Sequence, residues 1–427
     1  MSVLVDSEVW TEKRARVFLR ELLHVAIGSA NPKQVLAPHL PAKPAGKCVV
    51  VGAGKAAASM AQAVEAAWPD VPLSGVVVAP YGYGDSSNRI HIREAGHPVP
   101  DANSEMAAQE ILAAVQNLKP EDLVLALISG GGSSVLSLPA PGVTLEDKQT
   151  TNRVLLASGL DIRTMNAVRR RLSAIKGGKL AAAASPAKVF TLAISDIPGD
   201  DVAAIASGPT VADTYGNVDI SEAIARLAGK VPQNVIDRLK APAAPPHLSA
   251  SDFQIIAKPA FVLEAAAALG RAAGVDVEIL GDDLEGESRD LASWMAGLAL
   301  APHSRPKLLL SGGETTVTIG DKRAGRGGRN TEFLLALCLA LEGRRGVWAL
   351  AADTDGLDGS NVGAAGAVLT PSTLDRGCDL GLNAQASLDE HDSGGYFDAL
   401  GDLLFTGPTR TNVNDFRAVL IIPDRML

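Results

Sequence analysis

Three features of the chain predict an α/β fold in two domains. Short β-branched or Leu-rich runs alternate with long Ala-rich stretches, the pattern of parallel sheets with covering helices. At 427 residues the chain exceeds what one hydrophobic core usually organises. The stretch Leu239-Lys-Ala-Pro-Ala-Ala-Pro-Pro-His-Leu248 interrupts the alternation, and its prolines remove helix donors and stiffen an extended connector. A first domain over residues 1–240, a linker at 241–250 and a second domain over 251–427 follow.

The strands are expected at Lys47–Val51, Gly75–Ala79, Leu123–Ile128 and Val189–Ile194, then at Phe253–Ile256, Val275–Leu280, Lys307–Leu310, Thr316–Ile319, Val347–Ala351 and Ala418–Ile422. Hydrophobic residues make up 47% and charged ones 20%, while 42 Gly and 25 Pro are scattered, which argues against disorder, collagen and coiled coil. Aromatic residues are only 4%, so Leu, Val and Ala must fill the cores.

Net charge is −9, which leaves no global basic field for phosphate backbones, so nucleic acid is not an expected partner. Cys48, Cys338 and Cys378 are far apart and form no CxxC, which fits a reducing cytoplasm without a disulfide framework or zinc site. The start to Trp10 lacks a basic region followed by an apolar one, and the run Phe333 to Leu341 is closed by Glu332 and Glu342. Neither export nor a membrane partner is expected.

In open α/β sheets, ligands sit beyond the carboxyl ends of the strands. Five predicted strands run directly into small, anion-friendly or acidic loops. The first, Gly52-Ala-Gly-Lys55 with Ala56 and Ala57, satisfies the dinucleotide fingerprint, but the next strand, Val76-Val-Val-Ala-Pro-Tyr-Gly82, ends without an acid for the ribose. Gly52 and Gly54 are therefore candidate phosphate binders, with Lys55 reaching phosphate oxygens from the helix start; a plain turn with a solvated lysine is the alternative. The chain has no Walker A sequence.

The second loop, Ser129-Gly130-Gly131-Gly132-Ser133-Ser134, is the most glycine-dense point and reads as a backbone cradle for phosphate or carboxylate. It is no nucleophile elbow, because Val135 and Leu136 follow. Asp196 comes directly after a strand, the station of a general base or metal ligand. His97, in Gly96-His-Pro-Val-Pro-Asp101, is either a structural hydrogen bonder or a substrate contact. Arg169-Arg-Arg171 with Lys176-Gly-Gly-Lys179 is either a solvated face or a grip on a substrate carboxylate, Arg171 and Lys176 being the candidates.

In the second half, Ser311-Gly312-Gly313-Glu314-Thr315 repeats the glycine-loop form. Gly325-Arg-Gly-Gly-Arg-Asn-Thr331 opens a helix, placing Arg326 and Arg329 near an anion at its N-terminus. Asp353-Thr-Asp355-Gly fails the calcium-loop register because Gly356 arrives too early, so Asp353 and Asp355 are either magnesium ligands or surface acids of a turn.

Taken together, Gly52-Ala-Gly-Lys-Ala56, Gly96-His-Pro-Val-Pro-Asp101, Ser129-Gly-Gly-Gly-Ser-Ser134, Ser207-Gly-Pro-Thr210, Ser311-Gly-Gly-Glu314, Gly327-Gly-Arg-Asn330, Asp353-Thr-Asp-Gly356 and Thr406-Gly-Pro-Thr-Arg-Thr-Asn-Val-Asn-Asp415 resemble the glycerate 2-kinase family. The motifs keep the family's order and span nearly the whole chain. The resemblance implies a kinase using ATP and Mg2+ to phosphorylate glycerate, with a Rossmann-like first domain, a second α/β domain of the MOFRL type with a mixed sheet, and an active cleft between them. It gives key roles to Lys55 and Arg329 and matches Asp196 and Glu314 to further cleft residues; a homodimer is left open. The chain departs from the pattern at Gln254-Ile-Ile-Ala-Lys-Pro259, where a glycine–asparagine turn is expected.

Such proteins have also been labelled hydroxypyruvate reductases, so an NAD(P)H-dependent reductase is the alternative. A dehydrogenase would want a ribose acid and a histidine–carboxylate pair, and neither is evident. A sugar-phosphate sensor would need a DNA-binding module that this acidic chain lacks. Phosphoryl transfer needs donors for dispersed negative charge, a metal and an oriented hydroxyl, which the glycine loops, Lys55, Arg329 and the strand-end acids could supply.

Overall fold

The computed structural model describes residues 9–242, 251–320, 324–360 and 363–427. It divides into a unit formed by Pro32–Ile256 and a unit formed by Met1–Asn31 with Ala257–Leu427. This division differs from the expected one at both ends. The N-terminal residues belong with the C-terminal half, and residues 251–256 belong with the first sheet. Most of the expected linker, residues 243–250, lies outside the described residues.

The first unit is built on β1 (Cys48–Ala53), β2 (Leu73–Pro80), β3 (His91–Ala95), β4 (Leu123–Ile128), β5 (Lys188–Ile194) and β6 (Ser251–Ala257), in the spatial order β3-β2-β1-β4-β5-β6. The pairings β2/β3, β1/β2, β1/β4 and β4/β5 are parallel. This is the doubly wound order, and it reverses between β1 and β4, where such sheets bind their ligands. Every residue of β1 and β4 is buried, which explains their unbroken apolar runs: helices cover both faces, so no polar alternation is needed.

The second unit carries β7 (Asp276–Gly281), β8 (Gly286–Glu287), β9 (Lys307–Ser311), β10 (Thr315–Thr316), β11 (Val347–Asp353), β12 (Gly366–Leu369), β13 (Leu403–Leu404) and β14 (Asp415–Ile421). Its main sheet runs β13-β12-β11-β14-β9-β7 and is mixed, parallel only at β7/β9. The expected strand Thr316–Ile319 shrinks to β10, which pairs with β8 alone. The helix Glu12–Ser29 starts from Thr11, whose side chain accepts from the Arg14 N–H, and buries Ala15, Phe18, Leu19, Leu22, Leu23 and Ala26 along one face. It is tied to the C-terminal half by Arg16 Nη1 to Asp402 Oδ1 at 2.8 Å and by the Ser372 hydroxyl to Glu12 Oε2 at 3.1 Å. Among the described residues, no helix is long and apolar enough to cross a membrane.

Candidate active site

The two glycine loops of the first unit are sewn together at the point where the strand order reverses. The Lys55 N–H donates to the Gly130 carbonyl at 2.9 Å, the Ala56 N–H to Ser129 Oγ at 2.9 Å and the Ser129 N–H to the Ala53 carbonyl at 3.0 Å. This corrects part of the expected phosphate site. A Cβ at Gly52 would collide with the Leu127 carbonyl and one at Gly54 with Ser129, and the Gly54 N–H is spent on the Val78 carbonyl at 3.0 Å. The fingerprint glycines thus serve loop-to-loop packing. Ser129 and Gly130 are staples of the same seam, and Gly132 packs against Ala206.

Gly131, Ser133 and Ser134 stand apart from that seam, although the Ser134 N–H and hydroxyl both donate to the Gly131 carbonyl, at 3.2 and 3.0 Å. They line a cavity of about 220 Å³ together with His97, Lys148, Asn152, Arg169 and Lys176. Among the described residues, the N–H groups of Gly131 and Ser133 find no backbone acceptor. Gly131 has φ +78°, and a Cβ there would sit 3.1 Å from His97 Nε2 and 3.6 Å from Lys55 Cγ, so His97 and Lys55 converge on this one glycine. The Ser133 hydroxyl lies 2.9 Å from that of Ser207, which with Ala206 adopts positive φ, a strained backbone of the kind that clusters at ligand sites.

The electrostatics of this cavity are one-sided. No carboxylate lines it, and among the described residues neither Lys148, Arg169 nor Lys176 makes an ion pair. Burial, reinforced by the Lys179 ammonium and opposed by Glu105, lowers Lys148 to about 8. Burial also drives Lys176 well below the ordinary lysine value, with Lys148, Arg169 and Arg170 adding to it, while its ammonium donates to the Ser133 carbonyl. Cations crowded this way out of water favour an anion as the missing partner.

The run of three arginines resolves into three directions. Arg169 faces the cavity, Arg170 is buried against Asp213 and the Tyr215 ring, and Arg171 donates to the backbone carbonyls of Leu239, Gly216 and Val218. Arg171, expected as a substrate contact, therefore points away from the cavity, which Arg169 lines instead. Asp196 follows β5 on the same sheet edge as Ser129, half-buried.

In the second unit the helix Arg329–Leu341 begins where the sequence places it, but no external anion is needed at its N-terminus. The buried Asp358 carboxylate accepts from the Asn330 N–H at 2.9 Å and the Thr331 N–H at 3.0 Å, and Gly328 leaves room for it. Arg326 pairs instead with the exposed Asp398 at 3.1 Å. Arg329 is gripped by three carboxylates, with Nε on Asp415 Oδ1 at 2.7 Å, Nη2 on Asp353 Oδ2 at 2.7 Å and Nη1 on Glu314 Oε1. Burial alone would lower its pKa, but Asp415, Asp353 and Glu314 hold it above the ordinary arginine value.

Asp353 and Asp355 do not fit a magnesium site. Asp353 Oδ1 accepts the Asp355 N–H at 3.0 Å while its other oxygen holds Arg329, and Asp355 Oδ1 accepts the Leu357 N–H at 2.9 Å. Both are buried, not surface acids. Gly312 and Gly313 are likewise packing glycines: the Gly312 N–H goes to the Gly281 carbonyl at 2.9 Å, and a Cβ at Gly313 would collide with the Leu284 backbone. Among the described residues no group of three or more His, Cys, Asp or Glu side chains is placed to hold a metal.

Sequence reasoning missed Lys148, Asp358, Asp415 and Arg417, and within the run Arg169-Arg-Arg171 it singled out Arg171 instead of Arg169. Asp415 and Asn330 stood inside quoted motifs, so their signal was present; Lys148, in an ordinary helix, carried none.

A doubly wound sheet with a small cationic cavity at its strand-end loop defines an α/β protein of the ligand-binding, open-sheet class. Residues 18–240 match the family described as Domain of unknown function (DUF4147), and residues 307–415 match the MOFRL family. The chain belongs to the glycerate 2-kinase family. It is 36% identical over 409 residues to the D-glycerate 2-kinase of Thermotoga maritima, covering 94% of this chain and 97% of that one. It is 53% identical over 420 residues, 96% of each chain, to an Agrobacterium vitis protein named "Putative hydroxypyruvate reductase". The crystal structure of a Thermotoga maritima glycerate kinase superposes with a TM-score of 0.87 at 34% identity, over 96% of this chain and all of that one.

Proposed function

We propose that the chain transfers the γ-phosphoryl group of ATP to the 2-hydroxyl of D-glycerate, giving 2-phosphoglycerate and ADP. The observation that carries this reading is the carboxylate-free cationic cavity at the carboxyl edge of β4. Its volume of about 220 Å³ suits a three-carbon acid better than a nucleotide, since cavities for larger ligands run to roughly 300 Å³ and more. The free N–H groups of Gly131 and Ser133 receive anionic oxygens there, and His97 fixes the substrate's orientation against Gly131. Lys55, on the same glycine, meets negative charge that develops on the transferring group.

Asp196 is the strand-end carboxylate that fits the remaining task, taking the proton of the attacking hydroxyl or holding Mg2+. Magnesium bound with the nucleotide neutralises phosphate charge. Arg329 stabilises charge in the transition state once a phosphoryl oxygen displaces Glu314, the exposed member of its three partners.

Incubation with D-glycerate and ATP against hydroxypyruvate and NADH tests the reading. ADP release from the first mixture with constant NADH absorbance in the second is the expected result. NADH oxidation without ADP release would replace the kinase by a reductase.

A further inference from the structure

Lys148 and Arg169 face the same cavity from two helices, Leu145–Leu156 and Ile162–Arg171, and neither belongs to any motif that the resemblance rests on. Arg169 spends three of its donors on neutral amides: Nε and Nη2 reach Asn152 Oδ1 at 2.9 and 2.7 Å, and Nη1 reaches Asn166 Oδ1 at 3.1 Å. A guanidinium has five N–H donors, so two remain. The amides fix its plane without neutralising it. Among the described residues, Lys148 Nζ has only a long 3.5 Å contact to the Leu138 carbonyl. Two positive side chains are thus held in a half-buried cavity by neutral partners, an arrangement that is costly unless an anion completes it.

We propose that Arg169 and Lys148 bind the substrate's carboxylate and so determine the selectivity of the cavity for a small 2-hydroxy acid over the corresponding neutral polyol. The planar fork of Arg169 suits a carboxylate presented edge-on, and Lys148 adds a point charge from the neighbouring helix. Asn152 is a positioning residue, since it acts through Arg169. The identity of the acid rests on the kinase reading; the anion site does not.

The test is titration calorimetry with D-glycerate and no nucleotide, on the wild type, Arg169→Met, Lys148→Met and Arg171→Met. The first two substitutions should each weaken binding by about tenfold or more, because each removes a charge-assisted contact, while Arg171→Met changes the same charge outside the cavity and should match the wild type. In turnover, KM for glycerate should rise in step while kcat at saturation and KM for ATP stay within a few-fold. Acetic anhydride labelling of the unmodified protein, read by mass spectrometry, needs no variant: glycerate should protect Lys148. Wild-type affinity in both cavity variants, absence of glycerate binding to the wild type, or unprotected Lys148 would overturn the proposal. Arg169-dependent glycerate binding without ADP release in the presence of ATP would uphold the anion site and refute the kinase reading.

Discussion

Arg329 Nε lies 2.7 Å from Asp415 Oδ1, and the second oxygen of that wholly buried carboxylate accepts from the buried Arg417 guanidinium. Asp415 is therefore shared between two arginines, one half-open to solvent and one sealed. Arg417 also donates to the Gly312 carbonyl and to Thr315 Oγ1, both at 3.1 Å, so the strand-end loop and the head of the helix Arg329–Leu341 are set by the same ion cluster.

Arg329 is a structural clamp that the proposed mechanism also places in catalysis, which gives a split expectation. Arg329→Ala should lower kcat by about 10²–10³-fold and also destabilise the fold by about 1.5–3 kcal/mol, since charged hydrogen bonds to Asp415 and Asp353 are lost. Glu314→Gln, which touches only the exposed partner, should leave stability within about 0.5 kcal/mol. Urea denaturation of both variants beside steady-state kinetics checks this; an Arg329→Ala protein as stable as the wild type would contradict the clamp.

Gly131 is the glycine that the cavity cannot replace. Gly131→Ala puts a methyl 3.1 Å from His97 Nε2 at a positive φ, costing about 1 kcal/mol of stability. Its effect on kcat/KM should be much larger, about 10²-fold, because Lys55 and His97 both pack against that spot. Gly54→Ala should behave the other way round, with a larger loss of stability, since its Cβ meets backbone of the neighbouring loop. Thermal melts and kcat/KM of the pair separate the two roles.

Much of the fold was legible, because parallel strands buried on both faces read as unbroken apolar runs. The edge strand His91–Ala95 and the short β12 and β13 were not, lacking either alternation or length. The helix Glu12–Ser29 shows its buried face in the sequence but not the partner that it covers more than 200 residues on. In the candidate site, glycine density could not separate Gly131, which lines the cavity, from Gly54 and Gly313, which face backbone. Three consecutive arginines look alike in sequence, although a helix turns each by about 100°. Asp358, a carboxylate 28 residues beyond Asn330, fills the helix end that an external anion was expected to take, and nothing local to the Gly325–Thr331 motif points to it.

On the proposed mechanism Lys55 and Asp196 act on charge or protons that move during the chemical step, so Lys55→Ala and Asp196→Asn should each lower kcat by about 10²-fold or more with modest change in glycerate KM. Circular dichroism should remain unchanged. Near-normal kcat in either variant removes that residue from the mechanism.

The cavity also predicts a pH dependence. Lys148, lowered to about 8 by burial and by Lys179 against the pull of Glu105, is charged below that value and neutral above it. The glycerate carboxylate, ordinarily near 3.5, is ionised throughout. Glycerate KM should therefore rise above about pH 8, and Lys148→Met should remove that step, leaving only the contribution of Lys176, which shares the cavity and is lowered further by burial. The sign for stability is opposite: between about 8 and the unfolded value near 10.4 the folded chain holds fewer protons, so this group makes stability increase with pH. KM and urea midpoints measured from pH 6.5 to 9.5 test both signs.

Phosphorus NMR of the product formed from D-glycerate and ATP is the most direct measurement. A kinase of this kind should accumulate 2-phosphoglycerate with equimolar ADP, and lose that product on Arg169→Met at low glycerate. Accumulation of 3-phosphoglycerate with no mutase present, or no phosphorylated acid at all, would contradict it.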